Sequence, residues 1–494
     1  MRSDRKSEKE FKKQKKKNTK IKGFSRFLSI IYTLAVLCFI GLLIWLNVVP
    51  AKYLYPIIGI LIVISLFIAP VMFSRNGKPG RRKVAMIIAS LLIVVFGVGI
   101  YYLNTTLDFF NSITSIGGAR EDFYLIVNAS SSYEEAKDIE GKTVGVHTDT
   151  ESTYSEAKKE LKKEVDIEYE YVNEMPVLID SLVSGERPAI FISAASYESM
   201  RGQNSLIEEK VKIIYKISIR VESRNTTDHV NVTKEPFNIF VSGIDTEGSI
   251  DTVSRSDVNM IITVNPKTKR ILMTSIPRDS YVKLASKGAS DKLTHSGIYG
   301  VNETVATVED FMGIDINYYV KVNYSTVIKL VDAIGGIDIN SPFGFYTHGM
   351  KAKYYFQEGY NHLDGSQALA YSRERYSFSE GDIQRNKNQQ LILSAIIEKA
   401  TSSSTILSEY TSILNAIKDN IETDMEKKSM TSLIKMQIND MSSWTIERQS
   451  ITGENGNEYC YALGMNAAVV IADEVSIAQA VDKIIEVQTG ETTE

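Results

Sequence analysis

Asp245 closes the apolar run FNIFVSGI, and Asp257 leads into VNMIITVN with Arg255 two positions ahead of it. The run RILMTSI is followed at once by Pro277, Arg278 and Asp279. Lys292 lies in DKLTHSGIYG, and YSRERYSFSEGDIQRNKNQQ (371–390) gathers Arg373, Arg375 and Arg385 around Asp382, with Gln389 behind them. Two carboxylates brought together repel each other, and a divalent cation relieves the conflict. Oxygen ligands from one or two carboxylates, with no His or Cys beside them, favour Mg2+ over zinc. Mg2+ held in this way completes its shell with phosphate oxygens and water. The guanidinium fork matches phosphate geometry and keeps its charge. The set points to a phosphate or pyrophosphate substrate. Ordinary Arg–Asp ion pairing at loop ends is the competing reading of the same spacing.

Such chemistry needs a scaffold. Residues 237–244, 258–265 and 270–276 read as three strands. If neighbours run antiparallel, Asp245, Arg255, Asp257, Arg278 and Asp279 converge on one rim of a sheet. INYYVKVN reads as a further strand, YSTVIKLVDAIGG as an apolar helix ended by glycines, and IDIN as a returning strand. Arg373 and Arg375, two apart, point the same way if their segment is extended. Steps of three and four put Asp382, Arg385 and Gln389 on one helix face.

The chain of 494 residues has a formal net charge of −4, but the charge is split. Residues 1–104 carry 18 Lys+Arg and 3 Asp+Glu, whereas the rest carry 38 and 57. The two parts belong in different places. Three apolar stretches, 24–49, 53–73 and 84–103, follow a basic tail, and each is close to the ~20 residues that a membrane helix needs. The tail and the loop RNGKPGRRK are basic, while the first connection is nearly neutral. The positive-inside rule places tail and second loop in the cytoplasm and everything after the third span outside the cell. The two cysteines, Cys38 and Cys460, are too differently placed to pair. The expected order is a cytoplasmic tail (1–23), three transmembrane helices (24–104), and an extracellular α/β accessory domain (105–230). Its strands and helices alternate from GKTVGVHTDT onward and are similar to one lobe of a solute-binding protein.

VSGIDT, RSDVNMIITVNPKTKRILMTSIPRD, DKLTHSGIYG, KLVDAIGGIDI, LDGSQALAYSRER and GDIQRNKNQQ occur in that order. Together they resemble the LytR-CpsA-Psr (LCP) family over residues 236–400. The three spans and extra outer domain look like the capsule-associated CpsA members of streptococci. The resemblance implies a membrane-anchored α/β protein whose LCP domain (236–485) is an α-β-α sandwich with a central mixed sheet. It implies transfer of a glycopolymer, here capsular polysaccharide, from a polyprenyl-pyrophosphate carrier to peptidoglycan, with pyrophosphate cleavage as a side activity in vitro. Asp245 and Asp257 would bind Mg2+ or Mn2+. Arg255, Arg278, Arg373, Arg375 and Arg385 would hold the phosphates with Gln389 and Lys292, and Asp382 would orient the arginines. The catalytic set is then Asp245, Asp257, Arg278, Arg373 and Arg375, with Asp279 as a candidate base. Membrane lipid and other capsule-assembly proteins are the further implied partners.

Two positions depart from the family pattern. Asn388 stands where an arginine is common, and Val301 follows Gly300 where a second glycine is common. The alternative function is a membrane-bound regulator or scaffold of capsule synthesis. A nucleic-acid role is disfavoured, because the tail and one short loop leave no room for a helix-turn-helix.

Overall fold

The computed structural model describes residues 2–47, 49–74, 78–113, 120–148, 152–203, 207–220, 230–244, 250, 254–348, 352–402, 405, 408–418 and 420–491. The chain divides into two units, and each is described separately.

The first unit contains α1 (Arg2–Leu46), α2 (Ala51–Phe73) and α3 (Pro79–Ile113), together with Met430–Met441. The segments Thr19–Leu46, Ala51–Phe73 and Pro79–Phe109 each contain an 18-residue stretch with a mean hydropathy of 2.7, long and apolar enough to cross a membrane. Tyr32, Val36, Ile68, Met72, Ala89 and Phe96 pack at their centre, while Leu34, Phe67 and Leu91 face outward. Helix α3 runs past Leu103, where its apolar stretch ends. The Thr105 and Thr106 hydroxyls donate to the carbonyls of Tyr101 and Tyr102 at 3.1 and 2.9 Å, which lets polar residues remain helical. The expected boundary at 104 therefore falls inside α3. Met430–Met441 is most of the helix Lys427–Asp440; Lys435 Nζ donates to Asn47 Oδ1 at 2.6 Å and Lys52 Nζ to the Asn439 carbonyl.

The second unit holds two larger sheets. The first contains β1 (Arg120–Asn128), β2 (Thr143–His147), β3 (Glu168–Val172), β4 (Ala189–Ser193) and β5 (Val211–Arg220), in the order β3-β2-β4-β1-β5. Strand β2 is parallel to β3 and β4, and β1 is antiparallel to its two neighbours. Helices α4 (Ser152–Glu164), α5 (Met175–Val183), α6 (Ala194–Gln203) and α7 (Ile207–Lys210) connect them. Alternation along β1 sends Phe123, Leu125 and Val127 against Tyr154 and Leu161 of α4. It sends Ile126 against Leu178 and Leu182 of α5. Both faces are covered at the centre of the sheet, which is why β4 (AIFIS) reads as a continuous apolar run while the edge strand β3 (EYEYV) stays largely exposed.

The second sheet begins with β6 (Phe237–Ile244), β7 (Ser256–Asn265) and β8 (Arg270–Ile276). A hairpin of β9 (Tyr281–Lys283) and β10 (Ser290–Lys292), then α8 (Leu293–Ser296) and α9 (Val301–Met312), leads to β11 (Tyr318–Val322) and α10 (Tyr324–Ala333). Next come β12 (Ile337–Ser341), β13 (Phe345–Tyr346), β14 (Tyr355–Phe356), β15 (Gly359–Leu363), α11 (Gly365–Arg373) and α12 (Asp382–Thr401). Strands β16 (Ile421–Thr423) and β17 (Thr445–Ser450) complete a six-stranded sheet, β16-β11-β6-β7-β8-β17. It is mixed: β11 pairs with β6, and β17 with β8, in parallel, and the other pairs are antiparallel. Leu272 and Ile276 of β8 pack under Val305 and Val308 of α9 and Ile484 and Val487 of the helix Glu474–Thr489. Met273 faces the other way. There Gln390 of α12 donates to the carbonyls of Met273 and Gln449 at 3.3 and 2.6 Å. The sheet is thus sandwiched between helices.

Candidate active site

The strand register builds the rim. Ile244 pairs with Ser256 across a bulge, and Asn259 pairs with Ile276, so the end of β6, the start of β7 and the end of β8 share one edge. Asp245, the next residue after Ile244, lies outside the described residues. A Cβ on Gly297 would stand 2.5 Å from the Ser256 nitrogen and 2.8 Å from the Ser254 carbonyl. Only glycine allows the segment after α8 to press against the backbone that carries Arg255 and Asp257.

The side chains at this edge form a connected network. Arg278 Nη1 lies 3.2 Å from Asp257 Oδ1, and its Nε lies 3.6 Å from both Asp279 Oδ2 and Asp382 Oδ2. Lys292 Nζ reaches Asp279 Oδ1 at 3.2 Å. Asp382, at the start of α12, also meets Arg385 Nη2 at 3.1 Å and Arg375 Nη1 at 3.6 Å. The amino-terminal turn of α12 adds a positive dipole end here.

Burial raises the cost of charge at Asp257, but Arg278, Arg255, the Thr294 hydroxyl and Arg385 outweigh it and hold the carboxyl below its usual range. Arg385 is pushed down, first by burial and then by Arg278. Arg278 is raised: burial opposes its charge, and Asp257, Asp279 and Asp382 more than offset that. Two guanidiniums thus sit close enough to repel, and each keeps a buried Nε with no hydrogen-bond partner. Among the described residues, Arg255, Arg278, Lys292, Arg375 and Arg385 face three carboxylates, Asp257, Asp279 and Asp382. The surplus charge and unfilled donors suit an anion with several oxygens.

The LytR_cpsA_psr family model matches residues 200–479. The chain belongs to that family. A polyisoprenyl-teichoic acid–peptidoglycan teichoic acid transferase TagU of Bacillus mycoides (strain KBAB4) is 36% identical over 233 residues, 47% of this chain and 74% of the relative. A transferase of the same name from Enterococcus faecalis (strain ATCC 700802 / V583) is 37% identical over 214 residues, 42% of this chain and 69% of the relative. The crystal structure of B. subtilis TagV aligns with a TM-score of 0.44 at 32% identity, covering 52% of this chain and 98% of that one.

Within this LytR_cpsA_psr domain the other expected site residues fall as follows. Arg373 is the last residue of α11, so Arg373 and Arg375 do not share an extended segment. Arg373 stacks over the Tyr324 ring at 4.1 Å, while Arg375 turns to Asp382 and to the Tyr376 hydroxyl, 2.7 Å away. Gln389 is half-buried on α12, one turn beyond Arg385. Asn388 is 1% exposed; its amide accepts from Gln384 at 2.9 Å and donates to the Tyr371 carbonyl at 3.3 Å. It ties α12 to α11 and has no opening toward the rim for an arginine. Val301, in the place of the second glycine, starts α9 and enters the core.

Several residues escaped the sequence reading. Thr294 donates to Asp257 Oδ1 at 2.9 Å. Tyr324 supplies the platform for Arg373. Asp291, fully buried, accepts from the Lys292 and Ala462 amides and pairs with His295 Nδ1 at 2.6 Å. The only trace of these was the density of polar side chains in DKLTHSGIYG, which does not say which of them turn inward.

Of the two aspartates expected to hold a divalent cation, Asp257 lies at the rim and Asp245 lies outside the described residues. Among the described residues no three His, Cys, Asp or Glu side chains gather into a cage. Asp257 Oδ1 is already shared by Thr294 and Arg278. One or two carboxylates, completed by ligand oxygens and water, is the pattern of Mg2+ at a phosphate.

Proposed function

We propose that this protein transfers an anionic glycopolymer from a polyprenyl-pyrophosphate carrier to peptidoglycan. The observation that carries the reading is the pair of guanidiniums, Arg278 and Arg385, each with a buried Nε that makes no hydrogen bond, beside Asp257. A pyrophosphate supplies the oxygens those donors lack. The TagU relatives carry teichoic acid in their names, so a wall glycopolymer is the supported class. Capsular polysaccharide is the narrower reading and rests on the three spans together with the extra outer domain.

In the proposed reaction a sugar hydroxyl of peptidoglycan attacks the phosphorus bonded to the glycopolymer. The new O–P bond forms as the bridging P–O bond breaks, polyprenyl phosphate departs, and the hydroxyl proton passes to a base or water. Arg278, Arg375 and Arg385 hold the phosphate oxygens and stabilise charge on the transferring group. Asp382 spaces the three guanidiniums. Lys292 and Arg278 hold Asp279, so its carboxylate is engaged before any proton arrives. Arg373, stacked on Tyr324, would add a further guanidinium for the phosphates. Asp257 and Asp245 would hold Mg2+, which neutralises pyrophosphate charge when bound.

The basic tail and second loop orient the chain with its α/β unit outside the cell. The sheet β1–β5 serves as an accessory domain. The test is transfer by the full-length protein in detergent, with Mg2+, a polyprenyl-pyrophosphate glycopolymer and peptidoglycan. Polymer coupled to peptidoglycan supports the reading. Carrier bound but never cleaved, with wild type equal to Asp257→Ala, sinks it.

A further inference from the structure

In the first unit two arginines, Arg26 and Arg82, each have a buried Nε with no hydrogen-bond partner among the described residues. Residues 11–107 include no Asp or Glu. Arg26 lies inside the span Thr19–Leu46, and Arg82 lies inside the span Pro79–Phe109. Arg82 is 2% exposed, although it sits in the basic segment that follows α2. Its Nη2 donates to the Ser74 carbonyl at 2.6 Å, and its Nε has no partner. Arg26 packs its guanidinium over the Phe73 ring at 5.9 Å, and its buried Nε is likewise unpartnered. Phe73 and Ser74 are adjacent, so both arginines meet at one end of α2.

That end opens into an apolar groove. Ser29, Ile30, Thr33 and Leu34 of α1 and Ala69, Pro70 and Phe73 of α2 line a volume of about 390 Å3. The Ser25 and Ser29 hydroxyls donate to the carbonyls of Met72 and Ala69 at 2.7 and 3.2 Å, so the serines spend their polarity inside the helix pair. Ile30, Leu34 and Phe73 are more than half exposed and leave the groove open to the side. Arg82 belongs to the basic loop that the positive-inside rule places in the cytoplasm, so the two arginines mark the membrane edge, where cationic side chains meet lipid headgroups. Residues 11–107 offer no carboxylate, and the two unused Nε donors are charged N–H groups that favour phosphate oxygens.

We propose that Arg26 and Arg82 bind the phosphate of an anionic glycerophospholipid whose acyl chain lies in the Ser29–Phe73 groove. Charge complementarity selects this occupant: a cationic head site continuous with an apolar channel matches a lipid with a phosphate monoanion, and a zwitterionic headgroup brings its own cation. The site is separate from the LytR_cpsA_psr rim and makes no use of its chemistry. It would tie the helix bundle to lipid on the side of the basic loop.

The experiment is native mass spectrometry of the full-length protein in detergent, titrated with phosphatidylglycerol or phosphatidylcholine. A one-to-one phosphatidylglycerol adduct should form in preference to phosphatidylcholine. Arg82→Gln and Arg26→Gln should each weaken it about fivefold, near the value of one basic group at an anionic surface. Arg82→Lys, which keeps the charge but loses the fork, should fall between. Lys83→Gln, a change at an exposed neighbour, should leave the adduct intact. Equal retention of the two lipids by the wild type overturns the proposal, and so does an undiminished adduct in a folded double variant. Stronger retention of polyprenyl phosphate than of phosphatidylglycerol overturns the assignment to a glycerophospholipid.

Discussion

Arg278 Nη1 stands 3.2 Å from Asp257 Oδ1, and the Thr294 hydroxyl donates to the same oxygen at 2.9 Å. One carboxylate oxygen from the start of β7 is thus fixed by a residue after β8 and a residue of α8. Removing the guanidinium should leave the rim folded but unable to stabilise charge on the transferring phosphate. Arg278→Ala should lower transfer about 100- to 1,000-fold, the typical loss for one preorganised donor. Arg278→Lys should recover only part of it, because a point charge cannot replace the fork. Transfer rates measured under saturating carrier decide the matter, and near-wild-type turnover in Arg278→Ala would refute the assignment.

Thr294 makes a subtler prediction. Its hydroxyl orients Asp257 without reaching the proposed phosphate. Thr294→Val keeps the volume and removes a hydrogen bond to a charged group, a loss of roughly 1.5–3 kcal/mol in orientation. Transfer should fall about tenfold or more, the Mg2+ concentration for half-maximal rate should rise, and Thr294→Ser should restore both. A Mg2+ titration unchanged by Thr294→Val would show that the hydroxyl only packs.

Much of this arrangement could be read from the chain. The ends of apolar runs at Ile244, Ser256 and Ile276 located the rim, because a two-residue period and a short connection leave antiparallel neighbours little freedom. The steps from Asp382 to Arg385 and Gln389 held because α12 is a regular helix. Arg373 and Arg375 were less legible. They point the same way only if their segment is extended, and the Asp364 cap instead starts a helix that persists through Arg373, so the two side chains find different partners. Gly297 is unreadable for another reason: it leaves out a Cβ that would stand 2.5 Å from the nitrogen of Ser256, forty-one positions earlier, which no local pattern encodes. The end of α3 was misplaced because hydropathy stops at Leu103 whereas hydrogen bonding does not.

The depressed carboxyl of Asp257 fixes a pH dependence. Its folded form gives up its proton below the ordinary aspartate value of about 3.9. The ion pair therefore contributes its full stability above about pH 4 and loses it as pH falls through the lower folded value. The thermal stability difference between wild type and Asp257→Asn should be constant from about pH 5 to 8 and shrink only in stronger acid. A difference that already narrows between pH 7 and 6 would mean that the carboxyl is not held ionised by its arginines.

Asn388 tests how the family pattern relates to this fold. An arginine is common at this position in the pattern, so restoring one looks like adding a phosphate ligand. The geometry argues otherwise. Asn388 is 1% exposed, and its amide bridges Gln384 and the Tyr371 carbonyl between α12 and α11. A guanidinium there must either lie unpaired in the helix interface or force α11 and α12 apart, and a buried charge without a partner is among the costliest substitutions. Asn388→Arg should destabilise the second unit by more than about 2 kcal/mol and lower transfer, through the displacement of Arg385 and Asp382 one turn away. Asn388→Ala, which only removes the amide, should cost about 1–2 kcal/mol and leave the rate per folded molecule nearly unchanged. Thermal unfolding with transfer assays on the same preparations separates the two effects. An Asn388→Arg protein that is as stable as wild type and transfers faster would place position 388 on the rim and overturn the helix-tie reading.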